Sequence, residues 1–268
     1  MAIPNFSAII TAAGKSERFN DGTTSPVKKE YLKIGDHTVL YSAVLPFLAV
    51  PHLQSLIITC PKDQKNECAV ALGEIYEHFT IPVIICEGGE TRQESVFNAL
   101  KMLESMGLPN DYIAIHDGAR PFLKSELVIS GLATAKVYGG SCPATLITDA
   151  VKRVGAHGSI EKHEERTGLV EVQTPQIFKY PEILEAHKKA SMNGKTYVDD
   201  TEIFSDFGQT VGVFLGDKEN RKVTFMSDIP DAKEQIQNYI ELRDKGEEQF
   251  KKTQEFQKYL QTAPKIME

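Results

Sequence analysis

Short apolar runs alternate with longer amphipathic segments along the first half of the chain. Four runs rich in β-branched residues occur at 7–11, 55–60, 81–86 and 112–116, and helix-length segments such as 91–105 separate them. Short strands that are apolar on both faces are typical of a parallel sheet that helices cover on both sides. The pattern therefore predicts an α/β fold with a doubly wound, mostly parallel sheet.

The alternation loosens after the segment 124–140. Short alternating runs with glycines and charged turns fill 149–178, which indicates a β-hairpin or arm that projects from the domain. Two helices, "YPEILEAHKKASMN" and "DDTEIFSDFG", and two strands, "TVGVFLG" and "KVTFM", are expected to complete the core. We thus expect one domain over 1–230, with the arm at about 142–175, and a charged helical tail over 231–268.

Composition narrows the class of protein. The 268 residues carry a formal net charge of −7, which argues against a general nucleic-acid binder, because such proteins need a basic face. No apolar run approaches the roughly 18 residues of a membrane helix, and no signal-peptide pattern opens the sequence. The four cysteines show neither zinc-site nor disulfide spacing. We therefore expect a cytoplasmic protein that binds neither nucleic acid nor membranes.

The stretch "SAIITAAGKSERF" at 7–19 passes from an apolar run into small residues, a glycine and basic side chains. Backbone N–H groups after such a strand can approach a ligand closely and form an anion-binding nest. The residues assigned to this polyphosphate cradle are Ala12, Ala13, Gly14 and Lys15. Arg18, Lys28 and Lys29 follow within reach of the same triphosphate. A plain structural turn and surface cations fit these residues as well.

Seven blocks of sequence carry a family resemblance. They are "AIITAAGKSERF", "KKEYLKIGDHTVLYSAVLPF", "EGGETRQESVFNAL", "IHDGARPFL", "RTGLVEVQTPQIF", "YVDDTEIFSDFG" and "GDKENRKVT". In this order and at roughly these spacings they resemble the 2-C-methyl-D-erythritol 4-phosphate cytidylyltransferase family over about 6–229. The resemblance implies a Rossmann-like nucleotidyltransferase domain that transfers a cytidylyl group from CTP to that polyol phosphate with Mg²⁺, in isoprenoid precursor synthesis. It also implies a homodimer in which the arm embraces the neighbouring subunit.

The resemblance further implies roles for individual residues. The residues matching the nucleotide block are Gly88, Gly89, Arg92 and Ser95. The residues matching catalytic cations around the α-phosphate and the leaving pyrophosphate are Arg18, Lys29 and Lys222. Asp117 matches the carboxylate beside Mg²⁺ and the acceptor, and Arg120 matches a contact to the acceptor phosphate. Arg166 matches an arginine that reaches the neighbouring subunit's acceptor, with Thr174 as a nearby polar contact.

Several alternatives stay open. Ala150 and Val198 stand where relatives often carry threonine in the acceptor pocket, so transfer to another polyol phosphate, such as ribitol 5-phosphate, also fits. The family's loop lysine corresponds to Lys28 or Lys29, and the spacing to "YL" favours Lys29. A non-catalytic nucleotide-binding scaffold is the third alternative, against which the retained cations argue. Successive side chains of a strand point to opposite faces, so His116 faces away from Asp117 and we expect it to be structural.

Overall fold

The computed structural model describes residues 3–230 except 25, 74 and 76–79, together with residue 234, so that the predicted tail lies almost wholly outside the described residues. The strands are β1 Phe6–Thr11, β2 Lys33–Ile34, β3 His37–Thr38, β4 Leu53–Cys60, β5 Val83–Glu87, β6 Tyr112–Asp117, β7 Gly139–Leu146, β8 Lys152–Val154, β9 Ile160–His163, β10 Val170–Val172, β11 Gln176–Lys179 and β12 Thr210–Leu215. The helices are α1 Val39–Val44, α2 Lys65–Leu72, α3 Arg92–Met106, α4 Ser125–Tyr138, α5 Tyr180–Ala190 and α6 Asp200–Asp206, with 3₁₀ turns at Lys29–Tyr31, Leu45–Ala49 and Met226–Asp228.

One large sheet forms the centre of the fold. Its strand order is β10–β7–β11–β6–β1–β4–β5, and β12 also pairs with β7. β1 is parallel to β4 and β6, whereas β11 runs antiparallel between β6 and β7. From β1 the chain passes through β4 to β5 at one edge of the sheet, and it then returns to β6, which pairs with the opposite side of β1. This reversal places the carboxyl ends of β1 and β6 side by side, where doubly wound sheets bind ligands. The predicted fold class is confirmed.

Two apolar clusters cover the two faces of the sheet, as the fully apolar strands predict. Ala8 and Ile10 of β1 belong to one cluster, and Ile9 belongs to the other. α2 and α4 pack on the first face, and α3 and α5 pack on the second. Because side chains alternate along a strand, successive residues of β1 are buried on opposite faces of the sheet.

The predicted arm contains a hairpin of β8 and β9, whose residues are all exposed.

The prediction of a strand at "KVTFM" is wrong. The carboxylate of Asp228 accepts the N–H groups of Thr224 and Phe225 at 2.7 and 2.8 Å, which bends the chain into the last 3₁₀ turn. Within the described residues, no helix is long and apolar enough to cross a membrane.

Candidate active site

A cavity of about 390 Å³ opens at the carboxyl ends of β1 and β6. It is bordered by the loop after β1, the start of α3, the end of β6 and the segment that follows β12. The predicted site residues that line it are Ala13, Gly14, Lys15, Arg18, Lys29, Gly89, Arg92, Ser95, Asp117 and Lys222. The fold thus brings together most of the residues that the sequence singles out.

The loop after β1 is anchored where it ends. Phe19 is buried in a small cluster that includes Val223. The side-chain amide of Asn20 donates to the carbonyls of Ser16 and Val27 at 3.0 and 2.9 Å, and its oxygen accepts the Val27 N–H at 2.9 Å. These contacts hold the small-residue loop open toward the cavity, with Arg18 exposed beside it.

Close packing joins this loop to the end of β5. A Cβ added to Gly88 would lie 2.3 Å from the Cβ of Ala13 and 2.6 Å from Ser95 Oγ, so only glycine fits there. The next helix, α3, begins with a capping box formed by Thr91 and Glu94. The N-terminus of α3 therefore borders the cavity, and its partial positive charge favours an anion there.

Asp117 lies at the cavity among three cations. Its Oδ2 is 2.8 Å from Lys222 Nζ and 3.4 Å from Arg120 Nε, and its Oδ1 is 3.5 Å from Arg92 Nε. Burial favours the neutral acid, but the charges of Lys222, Arg92 and Arg120 outweigh it and hold the pKa of Asp117 well below its usual value. The cluster therefore carries excess positive charge, which suits a polyphosphate.

The two adjacent lysines take different positions. Lys29 is buried and lines the cavity, and its Nζ donates to the carbonyl of Val223 at 2.6 Å. Burial lowers the pKa of the Lys29 ammonium, an effect that Glu30 opposes and Lys222 reinforces. Lys28 instead donates to the carbonyl of Gly14 and pairs with Glu30 at 2.9 Å. Of the two, Lys29 is therefore the one placed to meet a ligand, and Lys28 ties the loop down.

A second cavity of about 410 Å³ adjoins the first and shares Lys222 with it. Arg120, Lys218 and Arg221 add further cations to its lining. Arg120 Nη1 donates to the carbonyl of Asn220 at 2.8 Å, which ties the end of β6 to the segment before Lys222. The arrangement offers space for a second anionic group beside the first.

Some predicted site residues lie outside both cavities. Thr174 is buried: its hydroxyl accepts the Asp117 N–H at 3.1 Å and lies 2.9 Å from His116 Nδ1, so it supports the site from behind. His116 is fully buried, as its expected structural role requires.

Two predicted residues of the loop after β1 have their polar groups engaged within the protein. Ala12 donates its N–H to the carbonyl of Thr59 at 3.0 Å, so this amide faces the sheet. Lys15, at the cavity rim, is exposed and pairs with Glu90 at 3.4 Å.

Arg166 and Gly88 also lie outside the cavity linings. Arg166 lies in the loop between β9 and β10 and donates to the carbonyl of Thr148. Gly88 donates its N–H to the carbonyl of Cys60 at 2.9 Å and acts through the close packing described above. Neither residue presents a group to the cavity within its own chain.

Sequence reasoning missed the partners of Arg92. Arg92 Nη1 lies 2.6 Å from Asp200 Oδ2, and His187 Nε2 contacts Asp200 Oδ1 at 3.1 Å. Burial disfavours the Asp200 charge, but Arg92 and His187 outweigh it and lower its pKa. The paired aspartates in "YVDDTE" are the available signal in the sequence, but their pattern by itself predicts only the start of a helix.

The residues that line the cavity are compatible with a magnesium ion that binds together with a triphosphate. Among the described residues, no group of three or more His, Cys, Asp or Glu could hold a metal by itself. Mg²⁺ in nucleotide sites takes one or two carboxylates, with phosphates and water as its other ligands. Asp117 can supply one, because its Oδ1 has only the longer contact to Arg92. Its Oδ2 is engaged by Lys222 and Arg120.

A doubly wound sheet with a small-residue loop, and with several cations around a buried aspartate at its switch point, defines a nucleotide-binding α/β protein. The family model of IspD, 2-C-methyl-D-erythritol 4-phosphate cytidylyltransferase, matches residues 6–238. The chain belongs to this family.

Relatives and solved structures agree with this assignment. The chain is 32% identical over 231 residues to 2-C-methyl-D-erythritol 4-phosphate cytidylyltransferase of Clostridium novyi, covering 86% of this chain and 96% of the relative. It is 34% identical over 222 residues to the enzyme of that name from Clostridium kluyveri, covering 83% and 92%. It also resembles the crystal structure of 4-diphosphocytidyl-2C-methyl-D-erythritol synthase from Anaerococcus prevotii, with a TM-score of 0.70, 26% identity and coverage of 87% and 96%.

Proposed function

We propose that this protein transfers the cytidylyl group of CTP to 2-C-methyl-D-erythritol 4-phosphate, which yields 4-diphosphocytidyl-2-C-methyl-D-erythritol and pyrophosphate for isoprenoid precursor synthesis. The observation that carries the proposal is the meeting of Lys29, Lys222 and Asp117 with the loop after β1 around one cavity. Relatives that carry the name of this activity match over nearly their whole length, which supports the same conclusion.

The reaction is an in-line displacement at phosphorus. An oxygen of the acceptor phosphate forms a bond to the α-phosphorus of CTP, and the bond from that phosphorus to the oxygen bridging the β-phosphate breaks. Pyrophosphate leaves with that oxygen and the electron pair. The acceptor phosphate is already an anion at neutral pH, so the protein needs no strong base. Its task is to bring two anions together and to neutralise the charge that develops.

The chain's own residues divide this task between the two cavities. In the first, Lys29, Arg18 and the backbone of the loop after β1 are assigned to the triphosphate. In the second, Arg120 is assigned to the acceptor phosphate, and Lys222 lies between the two. Mg²⁺, when bound, would neutralise phosphate oxygens, and Asp117 would hold it. The start of α3, with Gly89 and Ser95, is assigned to the cytosine and ribose.

Pyrophosphate release from CTP and purified protein tests the activity. We expect release with 2-C-methyl-D-erythritol 4-phosphate and little with ribitol 5-phosphate when each acceptor is supplied alone at the same concentration. Faster release with ribitol 5-phosphate would move the assignment to the sister activity. No release with either acceptor would favour the non-catalytic scaffold.

The active unit of the proposal is a homodimer joined through the arm. Apolar side chains of the arm region, including Leu146, Val154 and Ile160, are more than half exposed, and such a surface is suited to a second copy. Arg166 is proposed to complete the partner's acceptor site. If so, mixing inactive Arg166→Ala and Asp117→Ala proteins regenerates activity, because one site in each mixed dimer carries neither defect. Mixed dimers without activity, or a fully active monomer, would exclude this role.

A cytoplasmic location is part of the proposal. All four cysteines are buried free thiols, and burial raises the pKa of Cys68 to about 12. Proteins that keep reduced cysteines throughout are typical of reducing compartments. Fractionation of cells followed by immunodetection tests the location, and recovery from a secreted or membrane fraction would contradict it.

A further inference from the structure

Arg92 is held by a carboxylate that does not line the cavity. Asp200 Oδ2 accepts from Arg92 Nη1 at 2.6 Å, and Asp200 Oδ1 accepts from His187 Nε2 at 3.1 Å. The side chains of Asp200 and His187 are fully buried. The Asp200 N–H donates to Gln176 Oε1 at 3.2 Å. Asp200 is therefore fixed in place by three separate parts of the chain.

The guanidinium of Arg92 lies between two carboxylates at unequal distances. Its Nη1 is 2.6 Å from Asp200, whereas its Nε is 3.5 Å from Asp117 Oδ1. Its Nη2 is buried and has no hydrogen-bond partner among the described residues. Arg92 thus does not make the paired, two-bond contact to Asp117 that arginine and carboxylate favour.

We propose that Asp200 is a positioning residue that holds Arg92 away from Asp117, so that one oxygen of Asp117 remains available to the divalent cation of bound CTP. The inference rests on the magnesium role proposed above for Asp117. Asp200 lines neither the nucleotide cavity nor the acceptor cavity, whereas its partner Arg92 lines the nucleotide cavity. The inference gives this ion pair a role in metal binding.

Replacing Asp200 with asparagine removes the closer of the two negative partners of Arg92. The guanidinium then turns to Asp117, forms the two-bond contact and covers Oδ1. Loss of a residue that orients a metal ligand typically lowers metal affinity by about 10–100-fold. We therefore expect Asp200→Asn to weaken binding of the divalent cation to the CTP complex by at least about tenfold.

The experiment titrates Mn²⁺, a magnesium substitute detected by electron paramagnetic resonance, into protein with saturating CTP and no acceptor. The double variant Arg92→Gln with Asp200→Asn removes the whole ion pair, and with it the side chain that would cover Asp117. Its Mn²⁺ affinity should return to within about threefold of wild type. The double variant leaves no unpaired buried charge, so a Mn²⁺ affinity more than tenfold below wild type in it overturns the proposal even where the single variant does not fold.

Two further variants separate the possible explanations. Asp206 lies in the same helix α6 and bonds to the Tyr197 hydroxyl at 2.6 Å, so Asp206→Asn is the matched control and should bind Mn²⁺ like wild type. Asp117→Asn tests the metal role itself, and wild-type Mn²⁺ affinity there would refute both that role and the inference that rests on it, while the transfer reaction is tested separately by pyrophosphate release. The positioning role is overturned if Asp117→Asn weakens binding while Asp200→Asn does not. It is also overturned if the double variant binds Mn²⁺ more than tenfold more weakly than wild type, or if Asp206→Asn loses as much Mn²⁺ affinity as Asp200→Asn.

Discussion

The adjacent lysines Lys28 and Lys29 give a sharp test of the site, because Lys29 lines the nucleotide cavity and Lys28 does not. Lys29→Met keeps most of the side-chain volume and removes the charge. It also frees the carbonyl of Val223, which follows Lys222 directly. Loss of one electrostatic donor to the transition state costs about 2.7–4 kcal/mol, or about 10²–10³-fold in kcat. Because the charge develops at the reacting phosphorus, the loss should fall on kcat more than on KM.

Lys28→Met is the matched control. Lys28 ties Gly14 to Glu30 rather than facing the cavity, so its loss leaves the buried carboxylate of Glu30 without that ion pair. An unsatisfied buried group costs about 1–3 kcal/mol, so the free energy of unfolding should decrease by about that amount. The loosened loop should raise the KM for CTP, whereas kcat should fall less than tenfold.

Both variants are compared by pyrophosphate release at varied CTP and by urea unfolding. The expected result is a kcat defect in Lys29→Met and a stability and KM defect in Lys28→Met. A larger kcat loss in Lys28→Met than in Lys29→Met would refute the assignment of these two side chains.

Three other outcomes follow from the structure. Burial lowers the pKa of His116 to about 4, so between pH 6.5 and 5 the unfolded chain binds a proton that the folded chain does not. Stability should therefore fall by about 2 kcal/mol on going from pH 7 to 5 in urea unfolding, and His116→Gln should lack this part of the dependence. Gly88→Ala should raise the KM for CTP at least tenfold, because its Cβ would overlap Ala13, and an unchanged KM would contradict that packing. Turnover should be much faster with CTP than with ATP, and equal turnover would contradict the assignment of the α3 edge to cytosine.

The central strands could be predicted because each apolar run is buried on both faces and so shows in the sequence as an unbroken pattern. β11 could not be predicted as an inserted antiparallel strand. It has four residues, and its place between β6 and β7 depends on pairing with distant strands rather than on its own periodicity. The "KVTFM" segment alternates like a strand, but a nearby aspartate captures its N–H groups and bends it.

The candidate site was predictable as a set of cations and one carboxylate, but the pairing between them was not. Arg92 and Asp200 are 108 positions apart in the chain, so their contact exists only in the fold. Likewise, the resemblance gives Thr174 as a polar contact near the acceptor, and only the fold shows that its hydroxyl accepts the N–H of Asp117. Sequence patterns give residue types at a sheet edge, and they do not give the direction in which each side chain points.

The small cluster around Phe19 bears on how this protein could be engineered. It holds the loop after β1 and the segment that carries Lys222, and its members Leu32, Val39 and Ile229 belong to neither of the two clusters on the sheet. Substitutions confined to these three positions would shift the loop that borders the nucleotide cavity while leaving every residue of the two sheet clusters in place. A library built there offers a route to modified triphosphates on an otherwise intact scaffold.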